Sequence, residues 1–535
     1  MSLRDVTITV EPGELIAIIG ASGSGRTTLL NIMSGLCPPA SGEIIRADGA
    51  GVGYVPHDDI IHPQLPLART LRYTAALRQV RDPGAAIEDT LRMLHLSDRS
   101  LAPAGSLSGG ERKRASIAAQ FLAGPGLLFL DEPTSGLDPG PGVELMRTLR
   151  RLCEHGTTLV LTTRNPLDVE ACDKVVVLAS GGHLAFFGPP ASARAYFGTD
   201  STVEIYERLA GIGDPARNWS RRFFEANFSR TSPPVSPAPG ANAADVRPRD
   251  PGPVSGSAAS ARAVRPVRQW ALLTRRNADI LTRSKLTLAM LAGSPLAVLL
   301  MFLVLFRPGA FSPAHPSPSA TVMIMFWVAF GGFFFGLAYG LLAIRTERSI
   351  VRAERFAGLG AGAYVLAKVA VLLPVLAGTD FVFLAILRLL GRLPGTGNYP
   401  AVFVTLLLCS AAALGLGLLI SAAVAEPSQA TIVMLVACLP QVLFVGAILP
   451  VPVMASVGRW LSYVTINQWA FEALGRGLGI ARLWSDGASP LGRPLLASYG
   501  TTFSRPVAVD WLVLGCFTVA FVAATVAVTA RKTRC

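Results

Sequence analysis

Apolar positions keep two different rhythms along this chain, and the change between them divides it. Over the first 228 residues, short apolar runs at 14–20, 52–55, 127–130, 158–163, 174–179 and 183–187 have the length of buried strands, while 63–125 is spaced mainly as helix. This pattern predicts an α/β domain. Residues 229–268 are rich in Pro, Ala and Ser, too poor in apolar surface to hold a fold, and predict a disordered linker. Six apolar runs follow at 286–306, 321–344, 363–390, 400–425, 431–453 and 509–530, each long enough to cross a bilayer. Between linker and first run, residues 267–285 place Arg268, Arg275, Arg276 and Arg283 on one helical face with Trp270, Leu273, Ile280 and Leu281 roughly opposite, which predicts either a helix lying in the inner membrane interface or an ordinary amphipathic helix on the first domain, the former favoured. The expected order is an α/β domain at 1–228, a linker at 229–268, and a connecting helix with an all-α six-span transmembrane domain at 269–535.

Two polar stretches sit at strand ends in the first domain. The run ending at Gly20 enters Gly20-Ala21-Ser22-Gly23-Ser24-Gly25-Arg26-Thr27-Thr28 and then a periodic helix, which is the strand–loop–helix context a P-loop requires. The glycines let backbone N–H groups wrap phosphates, and the Thr27 hydroxyl suits Mg²⁺. The second stretch is 106–139, SLSGGERKRASIAAQFLAGPGLLFLDEPTSGLDP. Ser108, Gly109 and Gly110 open a helix, so a hydroxyl and backbone N–H groups gather at a positive helix end, where a nucleotide phosphate is well held. The strand at 127–130 delivers Asp131 and Glu132 at its carboxyl end: one carboxylate suits Mg²⁺ and the next suits an attacking water. Arg112, Lys113 and Arg114 behind the glycines predict a solvated helix face.

With 535 residues, 51% of them hydrophobic, and a net charge of +13, the chain is too apolar for a purely soluble enzyme. The positive charge gathers at the ends of apolar runs: Arg275, Arg276, Arg283 and Lys285 before the first, Arg345, Arg348, Arg352 and Arg355 after the second, Arg531, Lys532 and Arg534 after the sixth. Membrane orientation explains this better than nucleic acid does, and it predicts cytoplasmic termini with 454–508 facing mainly outward, although that segment carries five arginines of its own. The start has no basic-then-apolar leader, so the first domain is expected to stay in the cytoplasm. Seven cysteines lack metal-type spacing. Asp380 inside the third run is a candidate functional carboxylate or a paired structural one. Phe326, Phe330, Phe333, Phe334 and Phe335 of the second run offer either an apolar pathway or packing.

Taken together, YVPHDD, LSGGERKR and LFLDEPTSGLD in a cassette-first, membrane-second order resemble the G-type subfamily of ATP-binding cassette transporters, over nearly the whole chain. The resemblance implies a half-transporter that dimerises, binds ATP and Mg²⁺ between two cassettes, and exports an apolar or amphipathic molecule across the plasma membrane. Gly20, Gly23, Ser24, Gly25, Arg26, Thr27 and Thr28 would hold nucleotide from one subunit, Ser108, Gly109 and Gly110 from the other. Thr27 and Asp131 would hold the metal, Glu132 would take the catalytic place, and Asp138 would communicate across the dimer. Residues 346–360 match the intracellular coupling helix, and 466–475, INQWAFEALG, the partly re-entrant segment. Four features depart from the family pattern: Arg26 replaces lysine, His57 replaces glutamine, Arg164 replaces histidine, and no adenine-stacking aromatic precedes the P-loop. The three substitutions imply slow hydrolysis at this chain's own site and favour a heterodimer, whose partner would use the intact Ser108–Gly110 loop. They also leave open a regulatory subunit that binds nucleotide and completes a partner.

Overall fold

A computed structural model describes residues 3–46, 51–209, 215–228, 265–341 and 343–532. The expected linker thus lies almost wholly outside the described residues. Two compact units divide the chain: 1–265 with 349–358 (and 534–535), and 266–348 with 359–533.

The first unit is built on six strands, β1 (Leu15–Gly20), β2 (Val52–Val55), β3 (Leu127–Asp131), β4 (Thr158–Thr162), β5 (Lys174–Ala179) and β6 (His183–Gly188), in spatial order β2-β3-β4-β1-β5-β6. All neighbouring pairs run parallel except β5 with β6. The apolar runs are continuous rather than alternating because the central strands are covered on both faces: β1, β4 and most of β5 are completely enclosed. Three helices carry or flank the expected site residues, α1 (Arg26–Ser34), α2 (Gly109–Phe121) and α3 (Pro139–Glu154), and a fourth, α4 (Thr202–Leu209), packs nearby. β3, β4 and β1 are consecutive in the sheet, so their carboxyl ends form a single rim, with strands about 5 Å apart. α1 starts from that rim.

Residues 349–358, most of helix Arg348–Phe356 and the turn after it, belong to this first unit. Ser349 donates its hydroxyl to the Asp59 carbonyl at 3.2 Å, and the Phe356 ring meets Tyr54 edge-on, so the segment expected to couple lies on the loop that carries His57.

The second unit is helical. Among the described residues, five helices are long and apolar enough to cross a membrane: Lys285–Leu305, Pro318–Leu341, Ala361–Leu389, Tyr399–Ala423 and Val507–Lys532. The run expected to span at 431–453 departs from this: it forms Pro427–Leu443, 17 residues, and then turns away. Pro440 removes a backbone donor in the last turn, Gly446 takes φ 90°, and Pro450 leads into a short 3₁₀ turn at Val451–Val453. Helix Pro318–Leu341 approaches Tyr399–Ala423 through Gly332, Gly336 and Gly340, close enough that a Cβ on Gly336 would sit 2.1 Å from the Ser410 carbonyl oxygen. Phe326, Phe333 and Phe335 are buried in packing, while Phe330 and Phe334 are half-buried and stack on one another. Asp380 is fully buried and accepts from the Ser410 hydroxyl at 2.8 Å. Helix Ile466–Gly477, the expected re-entrant segment, is almost entirely buried. In Pro266–Arg283, Arg268, Arg275 and Arg283 are exposed as expected, but Arg276 is not. It follows Gln269 and Leu273 at helical spacing and shares their buried face.

Candidate functional site

The rim of β1, β3 and β4 gathers the first set of expected residues. At the end of β1, Gly20 has φ 154° and a Cβ there would lie 2.3 Å from the Leu178 carbonyl oxygen and 2.5 Å from Ser24 Oγ, so only glycine lets the loop fold this tightly. Gly23 and Gly25 hold φ 80° and 94°, which turns the chain into α1. Ser24 is buried, and its Oγ has no hydrogen-bond partner among the described residues. A buried hydroxyl without a partner, inside a loop of glycine N–H groups at a helix start, is a fit for an anion.

Thr27 lies exposed in the first turn of α1 and donates to Asp131 Oδ1 at 3.2 Å. Thr162, opposite Asp131 in the β3/β4 register, donates to the same oxygen at 2.6 Å. The oxygens of Thr27 and Asp131 are the hard, small donor set that suits Mg²⁺. Glu132 sits in the left-handed region at φ 46°, and its N–H is held by Thr162 Oγ1 at 2.9 Å. One buried hydroxyl therefore fixes both carboxylate residues.

The two unexpected arginines converge here. Arg26 is buried, donates Nη1 to the Thr163 carbonyl at 2.8 Å, and brings Nη2 to 3.4 Å from Glu132 Oε1. Arg164, exposed at the end of β4, donates Nε to the same Oε1 at 2.8 Å. Burial is the largest influence on the Arg26 guanidinium and pulls it below its ordinary value, with Glu132 opposing and Arg164 adding to the fall. Tyr206 of α4 donates to the Thr163 carbonyl at 3.4 Å, and burial pushes its phenol up to about 12, so it stays a donor. Asp168, buried behind the rim, accepts from Thr134 and Thr163 at 2.5 Å each and from Asn165 at 3.1 Å.

Ser108 caps α2: its Oγ accepts from the Glu111 N–H at 3.3 Å, and Glu111 Oε2 accepts from the Ser108 N–H at 2.8 Å. The Ser108 N–H bond, then Arg99, holds the Glu111 carboxyl below its usual range against a partial burial penalty. Ser108 remains exposed, and Gly109 and Gly110 pack beside Leu137 and Pro141, which brackets Asp138, itself exposed at the start of α3. Ser108–Gly110 and Asp138 thus form a second locus, apart from the Glu132 cluster in their bonding. His57 is exposed.

One expectation is corrected. Lys113 and Arg114 are buried rather than solvated: Lys113 donates to the His57 carbonyl, and Arg114 reaches Glu144 at 3.3 Å. Arg112, half-exposed, bonds Asp59 at 3.1 Å and the Leu107 carbonyl at 2.7 Å. Burial pulls the Lys113 ammonium below its ordinary value, opposed by Asp59, Asp58 and Asp131. The run ties the glycine-led helix to the His57 loop because basic residues one position apart on a helix point in different directions, two of them inward here.

Sequence reasoning missed Thr162, Thr163, Tyr206 and Asp168. A threonine in an apolar strand is an ordinary strand residue. The signal that was present, two consecutive threonines at a strand end directly before Arg164, gains meaning only once β4 lies between β3 and β1.

Residues 3–135 match the ABC transporter family and 268–477 the ABC-2 type transporter family. The chain is 30% identical over 508 residues to the ABC transporter ATP-binding/permease protein of Mycobacterium tuberculosis, over 90% of this chain and 56% of that one. It is 36% identical over 228 residues to ABC transporter G family member 26 of Arabidopsis thaliana, over 39% of this chain and 33% of that one. With G family member 22 of the same plant the identity is 27% over 541 residues, covering 88% and 70%. The chain spans about half or less of the length of the first two of these relatives.

Proposed function

This chain belongs to the ATP-binding cassette transporters, in the cassette-first order of the G type, and on that premise we propose that it is a half-transporter whose dimer couples ATP hydrolysis to export of an apolar or amphipathic molecule across the plasma membrane. In this reading both termini lie in the cytoplasm. The observation that carries it is the rim cluster: Thr27 and Thr162 converge on Asp131 beside Glu132, which supports a metal-bound triphosphate there, while Ser108 stands exposed on a separate helix start.

The glycine loop with Ser24 and Thr28 holds the phosphates, and Thr27 and Asp131 hold Mg²⁺, which supplies charge neutralisation when bound. Glu132 accepts the water's proton. The Ser108–Gly110 loop and Asp138 of a second half-transporter close the site. His57 and the segment 349–358 on its loop carry the state of the site toward the membrane half. We favour a heterodimer, because the departures from the family pattern, Arg26, His57 and Arg164, all fall on the P-loop side, while the Ser108–Gly110 loop, with Ser108 exposed, is intact and can complete a partner's site.

The experiment is ATP-dependent uptake of a lipophilic dye into inside-out vesicles containing the assembled transporter. Ser108→Arg, which puts bulk and positive charge where a phosphate docks, is expected to abolish uptake. Uptake that survives Ser108→Arg, or that proceeds without ATP, removes this reading.

A further inference from the structure

The substitutions at 26 and 164 look like two separate losses in the sequence, yet their side chains end on one atom. Arg26 Nη2 and Arg164 Nε both address Glu132 Oε1, at 3.4 and 2.8 Å, and Oε2 has no partner among the described residues. The backbone beneath is fixed as well, by the Thr162 hydroxyl on the Glu132 N–H. Arg26 is itself anchored by the Thr163 carbonyl, which also receives the Tyr206 hydroxyl. Three consecutive residues at the end of β4, Thr162, Thr163 and Arg164, thereby hold the backbone of Glu132, the guanidinium of Arg26 and the carboxylate of Glu132.

Resting on the reading above, we propose that Arg26 and Arg164 act as one positioning pair that saturates Oε1 of Glu132 and leaves Oε2 free to take the proton of the attacking water. A general base works best when one side of it is held and the other is aimed. A guanidinium does this well, because its rigid plane fixes the direction of each N–H, whereas an ammonium turns freely on a flexible stem. In the step itself, the water oxygen bonds to the γ-phosphorus, its proton passes to Oε2, and the bond from phosphorus to the β–γ bridging oxygen breaks with the electron pair leaving on ADP. Neither arginine gains or loses a proton. The two replacements are then a matched pair, and reverting one of them alone harms the site.

The test is steady-state ATPase of the assembled transporter in lipid nanodiscs, with ATP and ADP binding measured alongside. Arg164→Ala is expected to lower kcat on the order of 10²-fold, the typical cost of losing one preorganised contact, with KM for ATP changed less than about threefold. Because Arg164 is exposed, guanidinium chloride at millimolar concentration should restore at least about tenfold of that loss, which a merely misfolded variant would not show. In a Glu132→Gln background the same substitution should cause no further fall, since the two act as a unit. Arg26→Lys alone should lower kcat rather than raise it. The proposal is overturned if Arg164→Ala changes KM only, if guanidinium restores nothing, if the losses add, or if wild type binds ATP without turning it over. Failure of wild type to bind either nucleotide would remove the transporter reading as well.

Discussion

Thr162→Val removes one hydroxyl and nothing else of size, and it tests the core of the site. Thr162 is 1% exposed and serves two carboxylate residues at once, donating to Asp131 Oδ1 at 2.6 Å and accepting from the Glu132 N–H at 2.9 Å. A hydrogen bond to a charged carboxylate contributes about 1.5–3 kcal/mol, and a buried N–H left without a partner costs about 1–3 kcal/mol. Glu132 also occupies φ 46°, a conformation that costs a side-chain-bearing residue about 1–2 kcal/mol and that the Thr162 bond helps to hold. Thr27 still reaches Asp131, so metal binding is partly kept. A net loss of about 3 kcal/mol in the positioning of Glu132 corresponds to on the order of 10²-fold in kcat. Thr162→Ser keeps the hydroxyl and should stay within about tenfold of wild type. ATPase assays of both variants in nanodiscs decide it: a Thr162→Val protein within about threefold of wild type refutes the reasoning.

In the membrane half, Gly336→Ala should lower the thermal unfolding midpoint by several degrees, since its Cβ would meet the Ser410 carbonyl oxygen at 2.1 Å, whereas Gly378→Ala, with nothing within 4 Å, should be neutral or mildly stabilising; equal effects would contradict the packing account. A cysteine at the exposed position Asp486 should react with an impermeant reagent from outside intact cells, and reaction from inside alone would overturn the orientation drawn from the arginine clusters.

Much of this protein was legible before any coordinates. Strand-length apolar runs gave six strands at nearly the expected places, and the span-length runs gave five of six helices within a few residues, because burial on both faces and immersion in lipid each impose a long-range composition that local sequence cannot hide. The shortened helix at Pro427–Leu443 was less legible, since hydropathy alone passes over the backbone donor that Pro440 lacks. Motif spacing singled out Gly20–Thr28, Asp131, Glu132 and Ser108–Gly110 as candidates, because a phosphate or metal site needs particular atoms at fixed intervals along one strand, loop or helix.

Local order along the chain therefore specifies a set of devices: a glycine loop, a carboxylate pair, a capped helix start and apolar spans. Which of them meet was decided by the order β3-β4-β1, in which a strand whose Thr162 lies 31 residues after Asp131 inserts beside it. That insertion brings Thr162 under both carboxylates and carries Arg164 to the atom Arg26 already faces. The same kind of placement turned Lys113 and Arg114 inward. Pairing between strands is a choice among long-range partners, fixed by the burial of whole faces, and so the meaning of a single arginine waits on the sheet around it.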